Sequence, residues 1–379
     1  MDRKIKALVL FRGGFSGITN SLISTLRSNG CEVIEARVTL RCLRYRLAWI
    51  FLLIMNALIV YRTKFSKYIN RTYAAFMCMS KANEELAKRY KNLDVIIQIG
   101  ANYNSYWKNK DNSVVYTLFT DHTNMLSKQQ TSAWYRAPET HARNDWNKIE
   151  KKIYASQDHL FVMGSHVKES MKRDYAIDPN KISVVGAGPN LDLDIERDGV
   201  QKRYDLKTLL FVGIDSQRKG LHLLLQVFDE IVKSFPDTKL NIAGVEGKNT
   251  GNVTYHGLLR GEALKKLFYD SQIFVLPTFR EPFGIVLLEA MFAKNACIAS
   301  RTGAIPEIIE DQKTGFLVDI GDVEALKEKI ITLLDNPVLL EAMGEEGYKT
   351  AKNKWTWNLV AQKMIKQLND LITIRHPDF

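Results

Sequence analysis

The stretch Phe274-Val-Leu-Pro-Thr-Phe-Arg-Glu-Pro-Phe-Gly-Ile-Val-Leu-Leu-Glu289 decides the fold. A short apolar run rich in β-formers, 272–276, stops at Pro277. A turn segment carrying Glu281 follows, and an apolar helix opens at Gly284 with Glu289 about one turn inside it. In a parallel α/β domain such a loop lies at the carboxyl edge of the sheet, where ligands bind. The backbone N–H groups of Phe283, Gly284 and Ile285 would form the positive end of that helix, a place suited to phosphate. Two carboxylates beside an anion site suit a ligand that carries both phosphate and vicinal hydroxyls, as a nucleotide-sugar does.

Outward from this unit, the second half of the chain alternates regularly. Strands are predicted at 208–212, 239–243, 272–276, 296–299 and 316–318, with helices near 221–235, 262–269, 285–293 and 323–334. The first half reads as a strand at 5–11, the loop Arg12-Gly-Gly-Phe-Ser-Gly17, a helix to Leu26, and strands at 32–36, 94–99 and 114–119. Such alternation predicts a doubly wound parallel sheet in each half. The polar segment 191–199 reads as an interdomain linker, and Asp192-x-Asp194 within it as solvated side chains rather than a metal site. A last helix is predicted over about 356–374, its start marked by Trp355 and Trp357.

At 379 residues, 46% apolar and 25% charged, the chain has the make-up of a soluble globular protein of two domains or one large one. Cys31, Cys42, Cys78 and Cys297 are scattered, which points to free thiols in a reducing compartment and argues against zinc. The apolar run 7–11 is too short for a secretory signal and reads as the first strand, so a cytoplasmic location is expected. The charge is polarised. Residues 1–190 hold 29 Lys and Arg against 15 Asp and Glu, whereas 191–379 hold 24 against 27. That asymmetry implies an anionic partner for the first half, either phospholipid or a phosphorylated acceptor.

The run Leu47-Ala-Trp-Ile-Phe-Leu-Leu-Ile-Met-Asn-Ala-Leu-Ile-Val60 has 14 residues, short of the ~20 that span a bilayer. It reads either as a buried core helix or as a face that rests on lipid. Arg41, Arg44 and Arg46 before it, and Arg62, Lys64 and Lys67 after it, favour contact with an anionic membrane surface.

Glu281 and Glu289, with seven residues between them and Pro-Phe-Gly after the first, resemble the signature of retaining glycosyltransferases of the GT-B fold, family 4. The resemblance extends over about 208–334 and takes in Phe211-Val-Gly, Arg218-Lys-Gly-Leu, Val253-Thr-Tyr-His-Gly, Gly303-Ala-Ile-Pro-Glu-Ile-Ile and Thr314-Gly-Phe-Leu-Val. It implies two Rossmann-like domains facing across a cleft. The first, 1–190, would lie on the acceptor side and be completed by a C-terminal helix, 355–379, that crosses back to it. The second, 200–352, would hold the nucleotide-sugar. The resemblance further implies transfer of a hexosyl group from a UDP- or GDP-sugar to a glycan or lipid-linked saccharide, with retention and without an essential metal or other cofactor.

Carried over residue by residue, Lys219 is the phosphate-binding lysine, with Arg218 standing in for an arginine that many members place where this chain has Ile214. Glu289 would accept hydrogen bonds from the ribose hydroxyls and Glu281 would hold a hydroxyl of the transferred sugar. Phe283, Gly284 and Ile285 would offer their N–H groups to the diphosphate. Asp121 and His122 end the strand 114–120; His122 would stabilise the sugar or orient the acceptor hydroxyl. Gly13, Gly14 and Gly17 form the first strand–helix loop and would face the cleft, and 256–259 would border the base. Lys294 stands where the family usually has glycine, which implies a looser turn. The alternatives are another GT-B enzyme such as an epimerase or a phosphorylase, a non-catalytic nucleic-acid or lipid binder, and an inactive scaffold of the same fold. No specific nucleic-acid partner is expected.

Overall fold

The structure, a computed structural model, describes residues 4–13, 17–42, 46–61, 72–106, 108, 110–130 and 145–377. Gly14, Arg44, Arg62, Lys64 and Lys67 lie outside the described residues. The chain divides into two compact units, Met1–Gly186 with Trp357–Phe379, and Ala187–Thr356.

Unit 1 is built on a six-stranded parallel sheet. Its strands are β1 (Lys6–Phe11), β2 (Glu32–Arg37), β3 (Val95–Ile99), β4 (Val115–Thr120), β5 (His159–Val162) and β6 (Ile182–Val184), in the order β2-β1-β3-β4-β5-β6. Val-Ile-Ile-Gln-Ile of β3 is buried throughout, as a strand covered on both faces must be. Helix α1 (Ile18–Ser28) follows β1 and turns Ile18, Leu22, Ile23 and Leu26 inward at helical spacing. Helix α2 is Arg46–Tyr61, α3 Tyr73–Ala87, α4 Asn124–Gln129, α5 Trp146–Ser156 and α6 Ser165–Tyr175.

Unit 2 repeats the plan. Its strands β7 (Thr208–Val212), β8 (Lys239–Ala243), β9 (Val253–Tyr255), β10 (Ile273–Leu276), β11 (Ala296–Ser300) and β12 (Gly315–Val318) lie in the order β12-β11-β10-β7-β8-β9, all parallel. Its helices are α7 (Leu221–Ser234), α8 (Gly261–Asp270), α9 (Ile285–Phe292), α10 (Ile305–Ile308), α11 (Val323–Asp335) and α12 (Pro337–Lys354). Leu221, Leu224, Val227, Phe228 and Ile231 form the inward stripe of α7 and join Phe211, Ile242, Val275 and Ile298 in the core. The last helix, α13 (Trp357–Arg375), buries Val360, Ala361, Met364, Leu368 and Ile372 and packs against α1 in unit 1. Arg375 bonds to Asp158 at 3.1 Å and Asn29 donates to Asn358 at 2.9 Å, fixing both ends of that helix.

Two readings of the sequence need correction. The segment 191–199 is not a solvated linker but part of unit 2. Leu193 and Ile195 are buried, Tyr348 donates to Asp194 at 2.7 Å, and Tyr269 donates to Asp198 at 2.6 Å. Only Asp192 of its acidic pair is largely exposed, bridged to Arg197. The turn at Lys294 is not loose: the residue sits at φ 55, the left-handed region, and its ammonium is held by Glu196 at 3.2 Å and Glu345 at 2.8 Å. For α2, where the sequence left a core helix and an exposed face both open, the structure shows one packed side and one exposed side. Trp49 and Leu53 pack toward α3, while Leu47 and Phe51 are 76% and 66% exposed.

Candidate active site

The order of the second sheet reverses between β7 and β10, because β8 and β9 extend from one side of β7 while β11 and β12 extend from the far side of β10. Crevices at such reversals, beyond the carboxyl ends of the strands, are where open α/β sheets bind ligands. The loop 213–220 after β7 and the loop 277–284 after β10 meet there. The N–H of Phe279 donates to the carbonyl of Arg218 at 2.9 Å, and the Thr278 hydroxyl donates to the carbonyls of Arg218 and Arg280 at 3.1 and 3.0 Å. The Arg218 guanidinium reaches the Arg280 carbonyl at 2.6 Å and Asp215 at 3.2 Å. Gly220 caps the start of α7 at φ 74, and a Cβ there would lie 2.0 Å from the carbonyl oxygen of Pro277. Only glycine lets these two loops approach so closely.

The approach puts Lys219 against Glu281: the ammonium donates to the carboxylate, and both side chains are almost wholly shielded from solvent. Arg218 lies 3.4 Å from the same carboxylate. Below them α9 begins at Gly284, at φ 105, with no side chain capping it and no acidic residue in its first turn. Its first N–H groups therefore keep the positive end of the helix available to an anion. Phe283 is buried, its ring edge-on to Trp355 at 5.7 Å, and Gly284 stands beside the Glu281 side chain.

Glu289, one turn into α9, is buried. Its Oε1 accepts from the backbone N–H groups of Asn190 and Leu191, both at 3.2 Å. Burial pushes its pKa up to about 7, against the pull of those two N–H groups and of the Lys219 cation. Both bonds go to one oxygen, and a carboxylate offers about four lone-pair positions, so acceptor capacity remains for a ligand hydroxyl. At the end of β9, His256 pairs with Asn241 at 2.9 Å and the carbonyl of Gly257 accepts from Gly244.

The remaining sequence-predicted residues belong to unit 1. Gly17 takes φ 82 and precedes α1. Gly13 is described, and a side chain there would meet nothing within 4 Å. Asp121 and His122 leave the carboxyl end of β4, and Asp121 lines a small cavity with Ile18, the residue after Gly17, and with Gly100 and Met163. The His122 backbone is tied to the Thr120 hydroxyl at 3.2 and 3.4 Å. Burial, with His166 nearby, lowers the His122 imidazole to about 4, so it is neutral at neutral pH.

Several residues that support the site were not singled out from the sequence. Thr278 and Asp215 hold Arg218; Asn190 and Leu191 hold Glu289 through their backbone. Glu150 sits under the segment after His122 and accepts from the N–H of Asn124 at 2.9 Å, from the Tyr154 hydroxyl at 2.9 Å and from the Tyr175 hydroxyl. A glutamate on the inward stripe of α5 was the available signal for it, since only Tyr154 is near in sequence and Tyr175 and Asn124 lie 25 and 26 residues away.

Residues 193–350 match the family of glycosyl transferases group 1. The D-inositol 3-phosphate glycosyltransferase of Corynebacterium glutamicum (strain R) is 25% identical over 299 residues, spanning 72% of this chain and 71% of that protein. The phosphatidyl-myo-inositol mannosyltransferase of Mycobacterium tuberculosis (strain ATCC 25618 / H37Rv) is 30% identical over 175 residues, 42% of this chain and 46% of that protein. Among solved structures, the sucrose-phosphate synthase of Thermosynechococcus elongatus aligns with a TM-score of 0.72 at 19% identity, over 98% of this chain and all of that one, 100%. That likeness concerns the fold, two Rossmann-like units of the GT-B type. Residues 193–350, most of the second unit, are therefore those of a glycosyl transferases group 1 domain, and the chain as a whole has the two Rossmann-like units of the GT-B fold.

Proposed function

We propose that the protein transfers a hexosyl group from a UDP- or GDP-sugar to a glycan or lipid-linked saccharide, with retention at the anomeric carbon. One observation carries this reading: Arg218, Lys219 and Glu281 converge at the β7–β10 reversal beside the uncapped start of α9, with Glu289 within the field of Lys219. Cations and helix N–H groups suit the diphosphate, and they strengthen their hold as negative charge grows on the departing oxygen. Glu281 takes a hydroxyl of the sugar and Glu289 the ribose. When donor binds, Lys219 exchanges part of its contact with Glu281 for phosphate oxygen.

In the step itself the bond from the anomeric carbon to the diphosphate oxygen breaks, and a bond from the acceptor hydroxyl oxygen forms on the same face. The acceptor's proton passes to the departing diphosphate. Neutral His122 orients the acceptor hydroxyl or the sugar from unit 1. The basic first half favours an anionic acceptor, in keeping with relatives named for an inositol phosphate and for phosphatidyl-myo-inositol.

A thermal-shift screen with UDP, GDP, ADP and their sugars tests the reading. A true donor at a hundredfold excess over Kd stabilises by about 2.7 kcal/mol. That gain should vanish in Glu281→Ala/Glu289→Ala. Absence of any shift with every nucleotide would overturn the proposal.

A further inference from the structure

Helix α2 is apolar nearly all round, yet only some of its described side chains are packed. Trp49 and Leu53, one turn apart, lie toward α3, where the Cys78 thiol reaches the Trp49 carbonyl at 3.6 Å. Leu47, Phe51, Ile54, Met55 and Leu58 fall on the opposite stripe at helical spacing, and all are exposed. A contiguous exposed apolar stripe of this kind marks a contact surface. Its 16 residues give a length of about 24 Å, less than a bilayer core, and no described helix is long and apolar enough to cross a membrane. Such a helix lies along an interface rather than through it.

What it faces is indicated by charge. At the start of α2 a cavity of about 450 Å³ is lined by Arg12, Arg37, Arg41 and Arg46 around Val38, Leu47, Ile50 and Met79. No carboxylate is among the described residues that line it. Four guanidinium groups beside an apolar stripe match a molecule that has a phosphate at one end and hydrocarbon at the other. Residues 1–80 carry 13 Lys and Arg against 3 Asp and Glu, so the long-range field has the same sign. We infer that unit 1 docks on an anionic phospholipid surface, with the outer stripe of α2 among the acyl chains and a lipid phosphate in the arginine cavity. This goes beyond the sugar-transfer reading and needs no donor, so the two stand or fall separately.

The full chain is tested by co-sedimentation with vesicles of phosphatidylcholine alone and of an equimolar mixture with phosphatidylglycerol. Binding should be at least ~10-fold tighter to the anionic vesicles. Leu47→Ser/Phe51→Ser should abolish binding to both, while Arg41→Gln/Arg46→Gln should remove the preference for the anionic ones. All four side chains are exposed, and unchanged thermal unfolding by circular dichroism will show that the variants fold. Excess inorganic phosphate should leave the protein on the vesicles, which separates a lipid site from a free-phosphate site. Equal binding to neutral vesicles, or undiminished binding by the serine pair, would overturn the inference. So would self-association that the serine pair disperses, or tighter binding to an oligonucleotide than to anionic vesicles.

Discussion

A Cβ placed on Gly303 would stand 1.7 Å from the carbonyl oxygen of Glu281, so the turn after β11 and the acidic loop after β10 occupy one shared space. Gly303 sits at φ 58, and the next residue, Ala304, donates its N–H to the carbonyl of Pro282 at 3.3 Å. Any side chain at 303 must push the Glu281 backbone away. Gly303→Ala is expected to lower kcat about 100-fold by misplacing that carboxylate, and to cost about 1–3 kcal/mol of stability. Steady-state kinetics and urea unfolding check both figures. A variant with full activity would show that the position of Glu281 is not what turnover depends on.

Lys219 and Glu281 share a site from which water is nearly excluded and lean on each other for charge balance, with Arg218 at 3.4 Å a second, more distant cation on Glu281. Removing one partner strands the other, at a cost of about 3–5 kcal/mol, whereas removing both leaves no uncompensated charge. Lys219→Met and Glu281→Gln should therefore each destabilise strongly, and the double variant should recover much of the loss in urea unfolding. Activity behaves differently. If Lys219 meets the diphosphate and Glu281 the sugar as proposed, all three variants are expected to lose about 100- to 1,000-fold in kcat/KM. Additive stability losses in the cycle would mean that the pair is not the unit described.

The sequence exposed the architecture because parallel strands are buried on both faces and read as short apolar runs closed by Gly or Pro. Ile273–Leu276 before Pro277 is one such run, and its strand and helix lie within one residue of where the composition places them. The meeting of Arg218 and Lys219 with Glu281 was legible for the same reason, since strand–loop–helix order alone brings 213–220 and 277–284 to one sheet edge. What stayed hidden depends on distant partners. The polar 191–199 segment is indistinguishable from linker until Tyr269 and Tyr348, far along the chain, satisfy Asp198 and Asp194. Helix Pro337–Lys354 carries Gly344 and Gly347, poor helix formers, yet a Cβ on Gly344 would lie 2.4 Å from the carbonyl of Lys294, so close packing there needs glycine. Whether α2 was core or surface could not be read from 14 apolar residues, because burial depends on what packs against them.

Glu289 makes stability depend on pH in a direction opposite to most carboxylates. Its pKa stands at about 7 in the fold against an ordinary 4.5, because burial disfavours the charged form. The protonated form is thus the one the fold prefers. The fold is favoured below pH 4.5, and that advantage is lost as pH rises from 4.5 toward 7, about 3 kcal/mol in all. Glu289→Gln cannot ionise and should escape the loss. The variant is expected to gain on the wild type between pH 5 and pH 8 by roughly that amount, measured as the difference in urea unfolding at the two values. Equal pH dependence in both proteins would mean that Glu289 titrates as an exposed acid does.

His122 titrates the other way. Its imidazole falls from 6.5 to about 4 because burial, and then His166, oppose the cation. Stability from this group is fully present above pH 6.5 and is lost as pH falls through that value toward 4. A proton NMR titration of the ring should place its midpoint near 4, well below any pH at which the enzyme is assayed. Neutral throughout the working range, His122 can orient a hydroxyl but cannot donate a full positive charge to the departing group. Its removal should then act on rate without shaping the pH profile. His122→Ala is expected to lower kcat about 100-fold while leaving the KM for donor and the limbs between pH 6 and 8 where they were. If a limb in that range disappears with the substitution, the ring is protonated during turnover, and its role is that of an acid.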